Sequence, residues 1–269
     1  MIHPTALVSP RARLGSGVVI GPYCVVEDGA ALGDGVVLQA YVHVHGCATI
    51  GARTRVGTGS AIGGEPQDVK YKGEPTTAGI GADCRIHEHV TVHRATGSGT
   101  TTIGDGVMLM AGSHVGHNCV VGERAILTND AKLAGHVVVG ERAILSGGTA
   151  VHQFCRVGRL TMLGGGCMIG KDAPPFSILS GALPARWRTP NTIGLRRAGF
   201  TLEQRTAIRR ALIAILGVPG ETRARAEEHL ESPHEAVREL ARFVLESKRG
   251  VVLARRGTTL ADDPHDAEG

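Results

Sequence analysis

His114-Val115-Gly116-His117-Asn118-Cys119, with its continuation to Val151-His152-Gln153-Phe154, decides how this chain folds. An aliphatic residue returns at every sixth position around it: Ile103, Leu109, Val115, Val121, Leu127, Leu133, Val139, Leu145, Val151, Val157, Leu163 and Ile169. Four residues after each aliphatic stands a small or β-branched residue, among them Val107, Ser113, Cys119, Ala125, Ala131 and Val137. A period of six fits neither the turn of an α-helix nor the two-residue alternation of an extended strand. It fits a parallel β-helix, in which each hexad forms one side of a triangular coil. Residues eighteen apart then stack at the strand spacing of about 4.8 Å.

Stacking converts spacing into proximity. Val115, Leu133 and Val151 fall on one face of the prism, each eighteen residues after the last. His114 and His117 flank Val115, His136 follows Leu133 by three, and His152 follows Val151 by one. Four imidazoles far apart in the chain are thereby predicted to share one face or its adjoining corner, within about 10 Å of rise.

Working outward, the same register runs from the start of the chain through Ile2, Val8, Leu14, Ile20, Val26, Leu32, Leu38, Val44, Ile50, Val56 and Ile62. Between Gly63 and Gly79 charged residues stand where aliphatics should be, and the register resumes at Ile80, Ile86 and Val92. This segment, with Pro66-Gln67-Asp68-Val69-Lys70-Tyr71, is expected to replace part of a coil and project from it, as functional excursions from rigid scaffolds do. A second break leaves eleven residues between Val92 and Ile103. A loop over 94–102 would set Val92 directly beneath Val115 and bring His93 into the histidine ladder from below. His87 and His89 fall one hexad earlier and read as surface polar residues. Consecutive prolines at Pro174 and Pro175 end the ladder, and a short connecting segment follows from Phe176 to Gly199. Thr201 and Gln204 form a capping-box pattern before an apolar-periodic run to Leu216, closed by Gly217. Ser232-Pro233-His234-Glu235 signals another helix, to about Lys248. The expectation is a mainly β chain: a parallel β-helix over 1–183 with projecting loops 63–79 and 94–102, a C-terminal α-helical domain over 184–256, and a disordered polar tail over 257–269.

Composition agrees. Aromatics make up 3% of the 269 residues and glycines number 39, which suits a narrow aliphatic interior with tight corners. Cys24, Cys84, Cys119, Cys155 and Cys167 occupy the small inward position and read as core filler, with no closely spaced pair of the zinc type. The absence of a long apolar run and of a signal-peptide pattern predicts a cytoplasmic protein without stable membrane insertion. Between Pro184 and Arg256 fifteen Arg or Lys face eight Glu, a surplus suited to an acidic partner. Aromatic stacking platforms are absent, which argues against nucleic acid.

Two chemistries compete for the histidine face. Three imidazoles can bind a metal. Alternatively, one neutral imidazole can take a proton from a hydroxyl or amine as it attacks a thioester. The three-residue interval between His114 and His117 around one strand differs from the ligand pattern of β-helical carbonic anhydrases, so acyl transfer without a metal is favoured.

The run His114 to Cys119, the element Leu133-Ala134-Gly135-His136, Val151-His152-Gln153-Phe154-Cys155, the loop Pro66 to Tyr71, and Arg197 ahead of Gly199-Phe200 together resemble the UDP-N-acetylglucosamine acyltransferases of lipid A biosynthesis. That resemblance implies a left-handed β-helix, an exception to the usual right-handed crossover. It also implies a homotrimer with active sites between subunits, and an acyl carrier protein that delivers a 3-hydroxyacyl thioester on its phosphopantetheine, so that no cofactor is bound. His117 matches the catalytic base acting on the glucosamine 3-hydroxyl, and the backbone N–H near Gly135 the oxyanion donor. Asp68, Lys70, His93, His114, His136, His152 and Gln153 match positions lining the sugar nucleotide, Asn191 and Arg197 positions near uracil and phosphate, and Gly165, beside Met162 and Met168, the position that sets acyl length. Asn118 stands where many members have aspartate, Ile193 where a glutamate is expected, and Ala198 where a second arginine is. Two other functions fit the same residues: N-acyl transfer to a 3-amino sugar nucleotide, and a carrier-protein-binding scaffold without turnover.

Overall fold

The computed structural model describes residues 1–217 and 220–254. The hexads wind into a left-handed parallel β-helix whose three sides are sheets of nine, eight and ten strands. The first sheet begins at Leu7–Val8, the second at Arg13–Leu14 and the third at Val19–Ile20, and the chain visits them in that order on every coil. Most strands are two residues long. One points outward and the other, the aliphatic of the hexad, is buried, as in Val44, Val115 and Leu133, none of which has any exposed surface. The small residues four positions on fill the corners from inside. Cys24, Cys84, Cys119, Cys155 and Cys167 are all among them and buried, and burial pushes the Cys119 thiol up to about 12.

Corners demand a left-handed backbone. Asn118, His136 and Phe154, each eighteen residues apart, adopt φ of 57°, 60° and 65° at one corner, between the first and second sheets. Such a φ is tolerated by asparagine and needs compensating contacts for larger side chains. His136 and Phe154 supply them by stacking at 4.7 Å.

Both excursions leave from this first–second corner. Val92 pairs with Val115, as the eleven-residue break predicts. The longer segment behaves differently from the expectation. Ile80 sits directly over Ile50, thirty residues apart where eighteen is the rule, so the coil is complete and the extra residues are an addition at the corner rather than a replacement of two sides. Flanking strands Ala61–Gly64 and Thr77–Ile80 lengthen to four residues and hold its two ends.

After Pro175 the chain keeps to the third sheet. Ser177–Ser180 adds in parallel to Met162–Leu163, and Arg186–Pro190 returns antiparallel against it, with buried Trp187 donating its indole N–H to Ser177 Oγ at 3.1 Å. The boundary expected after residue 183 falls in the loop of this hairpin. Four helices follow among the described residues: α1 (Thr192–Arg197), α2 (Leu202–Leu216), α3 (Thr222–Glu227) and α4 (Glu235–Leu245). Thr201 and Gln204 form the capping box and Gly217 closes α2. Pro233 precedes α4, which ends at Leu245, three residues short of the expectation, and α3 was not legible. Arg159 pairs with Glu239 of α4, and buried Asp172 accepts from Arg156 and Ser247, fastening the helices to the last coils. The tail expected over 257–269 lies outside the described residues.

Candidate active site

Four coils converge on the first–second corner. Val92, Val115, Leu133 and Val151 pair in successive strands, so the residues just past them stack in columns. His117 lies over Gly135, and a Cβ on Gly135 would stand 2.4 Å from both Cε1 and Nε2 of the imidazole. Glycine is therefore required by close approach: the ring occupies the space a side chain would take. Gly135 accepts from the Phe154 N–H, while its own N–H makes no hydrogen bond among the described residues.

His117 is 7% exposed. Its Nδ1 lies 2.9 Å from Asn118 Oδ1. The orientation of the Asn118 amide is fixed independently. Its Nδ2 donates to the carbonyls of Thr96 and Ser98, at 3.3 and 3.2 Å, and its Oδ1 accepts from the Thr96 N–H at 2.9 Å. A backbone N–H only donates and a carbonyl only accepts, so the oxygen must face His117. Nδ1 consequently carries the proton and the neutral ring presents a bare Nε2. The nearest carboxylate, Asp68 Oδ2, is 3.9 Å from Nε2, beyond hydrogen-bond range. Nε2 is left open to an incoming donor.

Three neighbouring imidazoles are shifted toward the neutral form. Burial, helped by neighbouring His114 and His117, lowers His93 to about 4. Burial also lowers His114, beside Lys132, and His136, beside His117. His93 and His114 meet edge to face at 4.7 Å, and His117 and His136 at 5.1 Å. His114 Nδ1 is tied to Thr91 Oγ1 at 2.7 Å, whereas His93 Nδ1 is buried without a partner. His152 is exposed, and its ring Nδ1 lies 3.0 Å from the Gln153 carbonyl.

The excursion bearing Asp68 and exposed Lys70 folds back over this corner, near enough for both charges to act on His136. Arg94 anchors it. The guanidinium donates to Tyr71 Oη and Glu65 Oε1, each at 2.9 Å, and lies over the Tyr71 ring. Thr76 Oγ1 closes the other end on the Ala95 carbonyl. Sequence reasoning missed Arg94, Thr91 and the loop carbonyls that grip Asn118. Only the stacking of Thr91 beneath His114 could have been read from spacing.

Four of the candidate residues lie elsewhere in the chain. Asn191 sits at the second–third corner, where its Nδ2 donates to the Leu160 carbonyl and its Oδ1 caps α1 through the Gly194 N–H. Arg197 is exposed in the last turn of α1. Gly165 occupies the third–first corner and is open to solvent, and Met162 faces outward from the third sheet.

A β-helix of hexads with an imidazole nitrogen, His117 Nε2, left unpaired in a cleft of further histidines fits the hexapeptide-repeat class of acyltransferases. Comparison with known proteins narrows the class. The model of bacterial transferase hexapeptide repeats matches residues 100–135, and that of UDP-N-acetylglucosamine O-acyltransferase domain 2 matches residues 172–252. A curated acyl-[acyl-carrier-protein]–UDP-N-acetylglucosamine O-acyltransferase of Syntrophobacter fumaroxidans is 40% identical over 93% of this chain and 99% of its own. Its counterpart in Thermodesulfovibrio yellowstonii is 43% identical over 78% of this chain and 82% of its own. Among solved structures, the UDP-N-acetylglucosamine acyltransferase of Bacteroides fragilis superposes with a TM-score of 0.89 at 35% identity, covering 94% of this chain and all of that one. The chain belongs to the acyl-[acyl-carrier-protein]–UDP-N-acetylglucosamine O-acyltransferase family.

Proposed function

We propose that this chain transfers a 3-hydroxyacyl group from an acyl carrier protein thioester to the 3-hydroxyl of UDP-N-acetylglucosamine, the first step of lipid A biosynthesis, with His117 as general base. The observation that carries the reading is the tautomer lock: Asn118 holds the proton on Nδ1 and leaves Nε2 free. In the step, Nε2 takes the hydroxyl proton as the oxygen bonds to the thioester carbonyl carbon. The carbon–sulfur bond then breaks and the same proton passes to the leaving sulfur. The unpaired Gly135 N–H is the candidate donor to the carbonyl oxygen as it gains charge. Asp68, Lys70, His93, His114, His136, His152 and Gln153 surround the space the sugar nucleotide would take. The chain needs no cofactor of its own, because the pantetheine arrives on the carrier.

The placement of Asn191, Arg197, Gly165 and Met162 away from the histidine corner supports assembly as a homotrimer, in which a second copy brings those residues to the histidines. Val120 and Val138, 43% and 40% exposed on the outward face of the second sheet beside the histidine corner, supply apolar surface for such a contact. No helix among the described residues is long and apolar enough to cross a membrane, in keeping with a cytoplasmic site of action.

His117→Ala, assayed with an acyl carrier thioester and UDP-N-acetylglucosamine, should lose roughly a hundredfold or more in rate. A wild-type rate in that variant rejects His117 as the base. Mass spectrometry of products from competing 3-hydroxy and 3-amino acceptors separates ester from amide formation, and carrier binding without any product would indicate a scaffold instead.

A further inference from the structure

The histidine corner continues downward past the catalytic coils. Glu27 and His45 are eighteen residues apart and stack at the same first–second corner, with His43 on the strand His43–Val44 beside them. His43 and His45 alternate around inward-pointing Val44, so both leave the prism on one side. One carboxylate oxygen serves both rings: Glu27 Oε1 lies 2.7 Å from His43 Nε2 and 3.2 Å from His45 Nδ1. The second oxygen, Oε2, accepts from the Gly46 N–H at 3.0 Å, which fixes how the carboxylate is turned. The rings stack at 4.0 Å. All three ligand atoms fall within 4.8 Å of one another, the only such group among the described residues.

We propose that Glu27, His43 and His45 form a binding site for a divalent transition ion of the zinc class, separate from the catalytic centre. Two imidazole nitrogens and a carboxylate oxygen are a recognised donor set for such an ion, which keeps a further position for water. A tetrahedral ion with bonds of about 2.0 Å needs ligand atoms about 3.3 Å apart. The separation from His45, 3.2 Å, already stands close to that, and the one from His43, 2.7 Å, has to open by about 0.6 Å. The Gly46 N–H orients the carboxylate from behind, as outer partners of metal ligands do.

The site is three strands below the coil of His117, on the order of 14 Å away, so its ion cannot touch atoms reacting there. It reaches the catalytic corner through the backbone instead. A Cβ on Gly63 would meet His45 Cβ at 3.3 Å and Cys47 Sγ at 3.2 Å, and the space beside Gly64 is shared by His45 and His93. These glycines are where the segment bearing Asp68 and Lys70 leaves the coil. An ion holding His45 would therefore steady the root of that segment.

The test is zinc titration of the full chain after chelator treatment, by calorimetry and with cobalt(II) as a visible-absorption probe. The native chain should bind one equivalent at this site and gain thermal stability from zinc. His43→Ala and the nearly isosteric Glu27→Gln should each weaken that equivalent on the order of a hundredfold and abolish the gain, while His114→Ala retains both. Absence of a one-equivalent site in the native chain would overturn the proposal. So would undiminished affinity in His43→Ala and Glu27→Gln, or loss of the site in His114→Ala, which would put the ion at the catalytic corner.

Discussion

The two histidine clusters on the first–second corner differ in where the carboxylate stands. In the lower cluster Glu27 touches both imidazoles directly, at 2.7 and 3.2 Å. In the upper one Asp68 stops 3.9 Å short of His117, and the rings meet one another edge to face. A carboxylate in contact ties up ring nitrogens as an ion pair or ligand set, whereas one held away leaves a nitrogen free to act as a base. The two stretches are wound from the same hexads, so the contrast arises from what is added at the corner. Glu27 lies on the coil itself, while Asp68 is carried by an excursion whose position Arg94, Tyr71 and Glu65 set.

The contrast can be broken most severely at Gly135. Its φ is not in the left-handed region, so alanine suits the backbone, yet the new Cβ would fall 2.4 Å from His117 Nε2 and Cε1. Displacement of the proposed base by about 1 Å is worth on the order of a hundredfold in rate. Gly135→Ala should therefore lose most of kcat with little change in Tm, and an unaltered kcat would show that ring placement does not depend on this contact.

Asn118→Asp probes the orienting group with a smaller effect. A carboxylate at the same φ still accepts from Nδ1, but its charge favours the imidazolium and should move the acid limb of the pH–rate profile upward by about one unit. It would also face the Thr96 and Ser98 carbonyls, which lose their donor, at a cost of roughly 1–3 kcal/mol. Chemical denaturation and pH–rate measurements on one preparation check both. An unmoved acid limb would mean that Asn118 does not orient the base.

The smallest expected change concerns stability. His93 titrates at about 4 when folded and near 6.5 when unfolded, so the unfolded chain binds the proton first. Stability is lost as pH falls from about 6.5 toward 4, by at most about 3 kcal/mol before solvent screening reduces it. His93→Gln should flatten the decline of urea midpoints over that interval; an equal slope would place the acid sensitivity elsewhere.

How much of this was legible follows from what is periodic. Val92 beneath Val115 could be read across an irregular break because inward aliphatics must pair to bury themselves, and the columns of histidines follow from the same rule. Whether residues 63–79 replaced a coil or were added to one could not be read, since both leave Ile80 in register. The strand Arg186–Pro190 was hidden because it pairs through an antiparallel turn outside the hexads, and α3 because its N-cap, Glu221, offers no side-chain cap. At the site, spacing placed His117 on the histidine face and the family resemblance pointed to Gly135, but neither gave the grip on Asn118, which depends on the path of residues 96–98. Glu27, eighteen residues before His45, was within reach of the same arithmetic.

The central claim is that Asn118 fixes the tautomer of His117 and so makes Nε2 the base. Nitrogen-15 NMR of histidine-labelled protein, with His117 assigned by its absence from His117→Ala, measures this directly. The account predicts that the neutral His117 ring carries its proton on Nδ1 with Nε2 bare. A neutral ring protonated on Nε2 would contradict it.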